Sequence, residues 1–174
     1  MPLSDAKWRD LAGWPVVRPT WLAFDAPWSP VRNHEPMTDI HAAATRWARA
    51  WTLGWASLDP EPILACYAPD ALLSTQPFRD PHRGRDGVRE YVTLALAEEE
   101  DPRVWLSEPI VDGDRASISW WASLREGGAD ATLAGTSVLR FDREGLVIQQ
   151  WDAWNQSTER ADPPAWSPFG PHDT

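Results

Sequence analysis

Few side chains in this sequence of 174 residues are placed to do chemistry, and the foremost is Asp152. It lies in the run from Leu146 to Asn155, rich in β-branched and aromatic residues, which reads as a strand over 146–155. Alternate residues of a strand share a face, so Leu146, Ile148, Gln150, Asp152 and Trp154 stand on one side, Gln149 and Trp151 on the other. An aspartate of ordinary pKa, ~3.9, is a weak base toward carbon acids at neutral pH. Burial among indole rings would raise that value and suit the group to acid–base work. The same residue could instead be structural, hydrogen-bonded to an indole N–H or paired with an arginine.

Other chemistries find less. The four histidines, at 34, 41, 82 and 172, pair with no His or Cys at metal-ligand spacing, so no metal is expected. His82, amid Arg79, Asp80, Arg83, Arg85 and Asp86, reads as a solvated loop residue, although that loop could cap a pocket mouth. Cys66 is the only cysteine; it forms no internal disulfide and reads as buried core beside Tyr67. Glu98, Glu99, Glu100 and Asp101 read as the solvated end of a helix. Asp112-Gly113-Asp114 is a hairpin turn without the remaining spacing of a calcium loop. No glycine-rich phosphate loop occurs, and no cofactor is expected.

The formal charge of −10, from 16 basic and 26 acidic residues, argues against nucleic acid and anionic membranes as partners. No apolar run approaches the ~20 residues of a spanning helix, and the first residues lack the pattern of a secretory signal. A soluble, cytoplasmic protein is the expectation. Thirteen tryptophans are many for this length, and they suit an aromatic pocket, an interface or a bulky core.

The elements that must position these residues fall into helices first and strands afterwards. Residues 1–37 carry Pro2, Pro15, Pro19, Pro27, Pro30 and Pro36, which exclude a long helix, and Trp14, Trp21 and Trp28. They read as an extended arm laying its tryptophans on the domain or on a partner subunit. From Thr38, with Thr38 or Asp39 as N-cap, Ile40, Ala44, Trp47, Trp51, Trp55 and Leu58 step by four and three along one helical face. A short helix then runs through Ile63, Leu64 and Tyr67, a short strand spans 71–76, and a third helix covers about 86–99. That last helix turns Val88, Tyr91, Val92 and Ala95 to one side. Strands follow at 103–111, 115–124, 130–142 and 146–155, separated by turn signals such as Gly127-Gly128. Residues 157–174, with Pro163, Pro164, Pro168 and Pro171, read as a proline-rich tail. The whole is α+β with a mainly antiparallel sheet.

Three groups of residues in this order carry a family resemblance. They are Asp59-Pro-Glu-Pro-Ile-Leu-Ala-Cys-Tyr67-Ala-Pro-Asp-Ala71, then Pro77-Phe78 with Gly84, then Val138-Leu-Arg-Phe-Asp142 with Gly145 and Trp151-Asp-Ala-Trp154. Over 38–156 the chain resembles the SnoaL-like branch of the nuclear-transport-factor-2-like superfamily, which includes ketosteroid isomerases, limonene epoxide hydrolase and polyketide cyclases. The resemblance implies a cone-shaped domain of three helices in a strongly curved mixed sheet, with a ligand-sized pocket. It turns the Asp152 face of the last strand inward, with Leu133, Gly135, Ser137 and Leu139 and with Ile118, Trp120 and Ala122 from neighbouring strands. Ser119, Trp121, Gln149 and Trp151 then face outward, where a homodimer is expected.

The resemblance also tests particular activities. Aligned on Asp59 to Tyr67, Trp51 stands where a ketosteroid isomerase has its tyrosine, Thr75 or Gln76 at the base, and Ser137 at the second aspartate, so that activity is not expected. Asp152 could be the last-strand aspartate of an epoxide hydrolase, but no inward Arg/Asp pair accompanies it; Arg125 and Asp130 sit at a hairpin end. A polyketide-cyclase-like proton shuttle asks only for the pocket aspartate. The expectation is therefore a cofactor-free enzyme with Asp152 as acid–base on an aromatic or polycyclic substrate. Trp51, Trp55, Tyr67, Phe78, Trp120 and Trp154 would hold that substrate, and Thr75, Ser137 and Gln150 would supply hydrogen bonds. The alternative is a non-catalytic module of the same fold that binds a small ligand or a protein.

Overall fold

The computed structural model describes residues 39–76, 78–165 and 167–169. The arm expected over 1–37, and Thr38 with it, lie outside the described residues. The first helix, α1 (Ile40–Ser57), is capped by Asp39, whose carboxylate accepts the Ala42 N–H at 3.0 Å. It buries Ile40, Ala43, Ala44, Trp47 and Trp55, one stripe of a 3.6-residue repeat. Gly54 lets the chain turn closely onto α2 (Glu61–Leu64): a Cβ there would stand 2.7 Å from the Asp59 carbonyl oxygen and 2.8 Å from Ile63.

The short helix stops sooner than its apolar pattern implies. Tyr67 opens a strand, β1 (Tyr67–Ser74), because Pro69 cannot continue a helix and Tyr67 pairs with Val147 of the last strand. After β2 (His82–Arg83) comes α3 (Gly84–Ala97), which buries Val88, Val92 and Leu96. It ends before Glu99; the Glu98 carbonyl accepts the Gly127 N–H at 3.1 Å and Pro102 follows, so the acidic run enters β3 (Glu99–Leu106). The remaining strands are β4 (Ile110–Asp112), β5 (Arg115–Glu126), β6 (Ala129–Phe141) and β7 (Val147–Ser157).

The strands form one mixed sheet in the order β2-β1-β7-β6-β5-β3, with β4 also on β5. Only the β1–β7 pair is parallel. The sheet curls as an open cone around the three helices, and its concave face meets them in a core that includes Ile63, Leu73, Ile118, Leu124 and Leu139. Among the described residues no helix is long and apolar enough to cross a membrane.

The inward parity of β5 and β6 is as the alternation requires: Ile118, Trp120, Ala122, Ser137 and Leu139 are buried. On β7 it holds from Gln150 onward but not before. Arg140 pairs with Gln149 and Phe141 with Val147, so Ile148 is an extra residue, and Val147 rather than Leu146 is fully buried.

On the outer face the first part of the proline-rich tail lies against the sheet. Ala161 donates its N–H to the Thr132 hydroxyl and accepts the Trp121 indole N–H, both at 2.9 Å. Arg160 binds Asp101, and Arg103 pairs with Asp162. Trp121 is thus partly covered by its own chain, while Trp151 stays 55% exposed beside Val138, 46% exposed.

Candidate active site

Between α1, α3 and the concave sheet face lies a cavity of about 160 Å³, walled mainly by aromatic and aliphatic side chains. Trp47, Trp51 and Trp55 recur every four residues on α1 and so project from one face. Their rings form a continuous series, with centroids 5.6 Å and 6.0 Å apart, and Trp55 meets Trp120 of β5 edge-on at 5.7 Å. Trp154 also lines the cavity, oriented by its indole N–H, which donates to the Thr75 carbonyl at 2.9 Å. Gly135 pairs with Trp120 on one side and Trp154 on the other, and a Cβ there would fall within 2.7 Å of both side chains. The absence of a side chain at 135 is what lets two indoles flank the cavity.

Asp152 is 6% exposed and stands on the cavity wall. Its Oδ1 accepts the Ser137 hydroxyl at 2.7 Å and the Gln150 amide at 2.9 Å; Oδ2 receives only a 3.1 Å contact from the same amide. The donors are themselves held from behind. Trp120 donates its N–H to Ser137 Oγ at 3.1 Å. The Tyr67 hydroxyl accepts the indole N–H groups of Trp47 at 3.3 Å and Trp51 at 3.1 Å, and donates to Gln150 Oε1. Gln150 is thereby oriented with its amide nitrogen toward Asp152. The hydrogens run along two paths, one through Ser137 and one through Tyr67 and Gln150, and both end on one carboxylate. Burial pushes the Asp152 pKa up to about 6, against the opposing effect of the Ser137 and Gln150 hydrogen bonds.

A second carboxyl shares the cavity. Glu99, the first residue of β3, accepts the Trp55 indole N–H at 2.5 Å. Burial, with repulsion from Glu126, outweighs that hydrogen bond and raises its pKa to about 7. Tyr91 of α3 also lines the cavity, and its hydroxyl has no hydrogen-bond partner among the described residues. Burial and the nearby charges of Asp152 and Glu99 raise its pKa, so it remains a donor at neutral pH.

Seven of the residues singled out in the sequence meet at this cavity: Trp51, Trp55, Trp120, Ser137, Gln150, Asp152 and Trp154. Three do not line it. Tyr67 is fully buried behind Gln150, and Thr75 acts only through its carbonyl oxygen. Phe78 is 100% exposed: it follows the end of β1 in a loop that points away from the core, so its expected place in the pocket is corrected. The charged loop contributes no lining residue. Its His82 packs on Tyr91 with ring centroids 4.9 Å apart, and Arg85 donates to the Tyr67 carbonyl. Glu99 and Tyr91 were missed as site residues. Tyr91 had a signal, its place on the apolar stripe of α3; Glu99 was hidden within a run of acids.

The sequence model of the SnoaL-like domain matches residues 44–150. The chain belongs to the SnoaL-like family. No curated protein matches the sequence. Among solved structures, this SnoaL-like domain is similar to RV0760c from Mycobacterium tuberculosis, at 17% identity and a TM-score of 0.56, over 66% of this chain and 95% of that one. It is also similar to an NTF2-like protein of unknown function from Exiguobacterium sp. 255-15, at 13% identity and a TM-score of 0.55, over 65% of this chain and 98% of that one. A third is SalBIII, an epoxide hydrolase/cyclase-like enzyme with a role in pyran ring formation in the polyether salinomycin, at 15% identity and a TM-score of 0.56, over 67% and 90% of the two chains. At these identities the likeness establishes the fold of the SnoaL-like domain and nothing of its substrate.

Proposed function

We propose that this SnoaL-like domain is a cofactor-independent acid–base enzyme for a small, largely apolar, ring-bearing substrate, with Asp152 as the proton acceptor. The observation that carries this reading is the one-sided hydrogen bonding of a buried carboxylate at a cavity wall. Ser137 and Gln150 converge on Oδ1, which leaves Oδ2 with lone pairs to spare. A pKa of about 6 keeps the group ionised at neutral pH while making it a stronger base than an exposed aspartate.

The chemistry suited to these groups is proton transfer next to a carbonyl. Asp152 Oδ2 takes the proton from carbon, and the C–H electron pair moves to form an enolate. The Tyr91 hydroxyl is the free donor available to the enolate oxygen. The enolate then either recovers the proton from Asp152 at another carbon, an isomerisation, or attacks a second carbonyl within the substrate, an aldol closure. In the closure the new alkoxide takes up the proton that Asp152 carries. A cavity of about 160 Å³ matches a single six-membered ring, since an apolar cavity of ~150 Å³ accepts benzene. A polycyclic substrate would have to extend beyond this volume, past the exposed lining residues Glu126 and Gln156.

The test is deuterium uptake by single-ring ketones, with 3-cyclohexenone and 2-acetylcyclopentanone as probes, followed by proton NMR in heavy water. The expected result is enzyme-dependent exchange that Asp152→Asn reduces by about 10²-fold or more. Exchange unchanged in that variant would overturn the role of Asp152. Ketone binding without exchange in the wild type would favour the non-catalytic binding module.

A further inference from the structure

Glu99 of β3 and Glu126 of β5 are directly opposed across an antiparallel pair, and both stand on the cavity wall. Like charges directly opposite each other destabilise a strand pair. Neither glutamate makes an ion pair with any described residue, and the adjacent Arg125 reaches Glu100 instead, at 3.9 Å. The described residues that line the cavity include three carboxyls, Glu99, Glu126 and Asp152, and no lysine, arginine or histidine. A ligand therefore meets a wall whose charges are all of one sign.

We propose that the substrate of this cavity is a ring-bearing amine, its ammonium seated at the Glu99–Glu126 pair and its ring held among Trp51, Trp55 and Trp120. This rests on the reading of the cavity as a substrate site, and not on the role of Asp152.

Four aspects of the geometry support an organic cation. The Trp55 indole N–H holds Glu99 Oε2 at 2.5 Å, so the carboxylate is fixed in the wall with Oε1 left for a ligand N–H. The edge-on indoles of Trp51, Trp55 and Trp120 line the cavity, and their π systems attract a cation. No third metal-ligating side chain joins the two glutamates to make a metal site among the described residues. A carboxylate ligand would have to enter against all three acids. The titratable groups that share the wall with Glu99 are Glu126 of β5, Tyr91 of α3 and Asp152 of β7, and none of them is cationic. Without a ligand, burial and the neighbouring acid favour the protonated form of Glu99. An ammonium reverses that balance, so amine binding is accompanied by release of a proton from the protein near neutral pH.

The test is isothermal titration calorimetry of the full chain with benzylamine, benzyl alcohol and benzoate, three one-ring probes that differ in charge. At about pH 8, benzylamine is expected to bind about tenfold or more tightly than benzyl alcohol, with benzoate weakest. The preference should shrink below about pH 6, where Glu99 keeps its proton. Glu99→Gln preserves the acceptor for Trp55 and should bring the amine-to-alcohol ratio to within about threefold of unity, with benzyl alcohol affinity unchanged. The double variant Glu99→Gln, Glu126→Gln should remove the preference altogether, and unfolding curves establish that both variants are folded. Asp152→Asn should keep the greater part of the preference even where turnover is lost, which separates this proposal from the acid–base one. Benzylamine that binds no better than benzyl alcohol, or not measurably, overturns the proposal. So does a preference that survives the double variant, or one that is lost in Asp152→Asn alone.

Discussion

Ser137 of β6 and Asp152 of β7 are directly opposed across the sheet, and the Ser137 hydroxyl donates to Asp152 Oδ1 at 2.7 Å. The direction of that bond is determined from behind, because Ser137 Oγ accepts the Trp120 indole N–H and must send its own proton forward. The bond favours the ionised form of Asp152 and opposes the effect of burial. Removing it with Ser137→Ala should raise the Asp152 pKa further, by up to about one unit. The rising limb of a pH–rate profile, half-complete near pH 6 in the wild type, should move to higher pH by that amount. An unmoved limb would show that Asp152 is not the titrating group.

The same carboxyl sets a pH dependence of stability. Its folded pKa of about 6 lies above the ~3.9 of an unfolded aspartate, so between the two the folded state holds more protons. Stability from this group is therefore full below the unfolded value and is lost as pH rises through the folded one. Glu99, raised to about 7, adds a loss of the same sign that extends to higher pH. Asp152→Asn keeps an oxygen for Ser137 and removes the buried charge. Its melting temperature at about pH 8 should exceed that of the wild type by about 3 °C, and the gain should vanish below about pH 4. A variant that melts lower than wild type at about pH 8 would contradict the burial penalty.

Tyr67 holds the network together from outside the cavity. Tyr67→Phe would leave the N–H groups of Trp47 and Trp51 and the Oε1 of Gln150 without that partner. A loss of about 3 kcal/mol in urea-unfolding free energy is expected. A change under about 0.5 kcal/mol would mean that the indoles find other acceptors.

The outer face of the sheet offers a row of apolar side chains. Trp151 pairs with Val138, Val138 with Ser117 and Ser117 with Ile110, which is 76% exposed. We propose this row, rather than the tail-covered Trp121, as the centre of a homodimer. Sedimentation equilibrium at micromolar concentration should give a dimer, and Trp151→Glu with Val138→Lys a monomer. A wild-type monomer under those conditions would remove the proposal.

Local pattern was enough to specify much of this protein. Steps of four and three placed Trp47, Trp51 and Trp55 on one helical face, and alternation placed Gln150, Asp152 and Trp154 on one strand face. Both depend only on the geometry of the residues' own element. Facts that depend on a partner distant in the chain were not legible. Tyr67 is strand because Val147, eighty residues away, offers it a ladder position, and Ile148 is a bulge because the adjacent Arg140 and Phe141 of β6 pair with Gln149 and Val147. Phe78 looked like a wall residue on apolarity alone, which says nothing of the direction a loop takes after β1. Glu99 read as solvated because its neighbours are acids, and its pairing with Glu126 across β3 and β5 puts it on the wall of the cavity that Asp152 also lines. The sequence by itself determined which faces exist. The tertiary structure decided which of them meet, because burial and charge–charge energies depend on neighbours in space, and those arise only when the sheet closes on the helices.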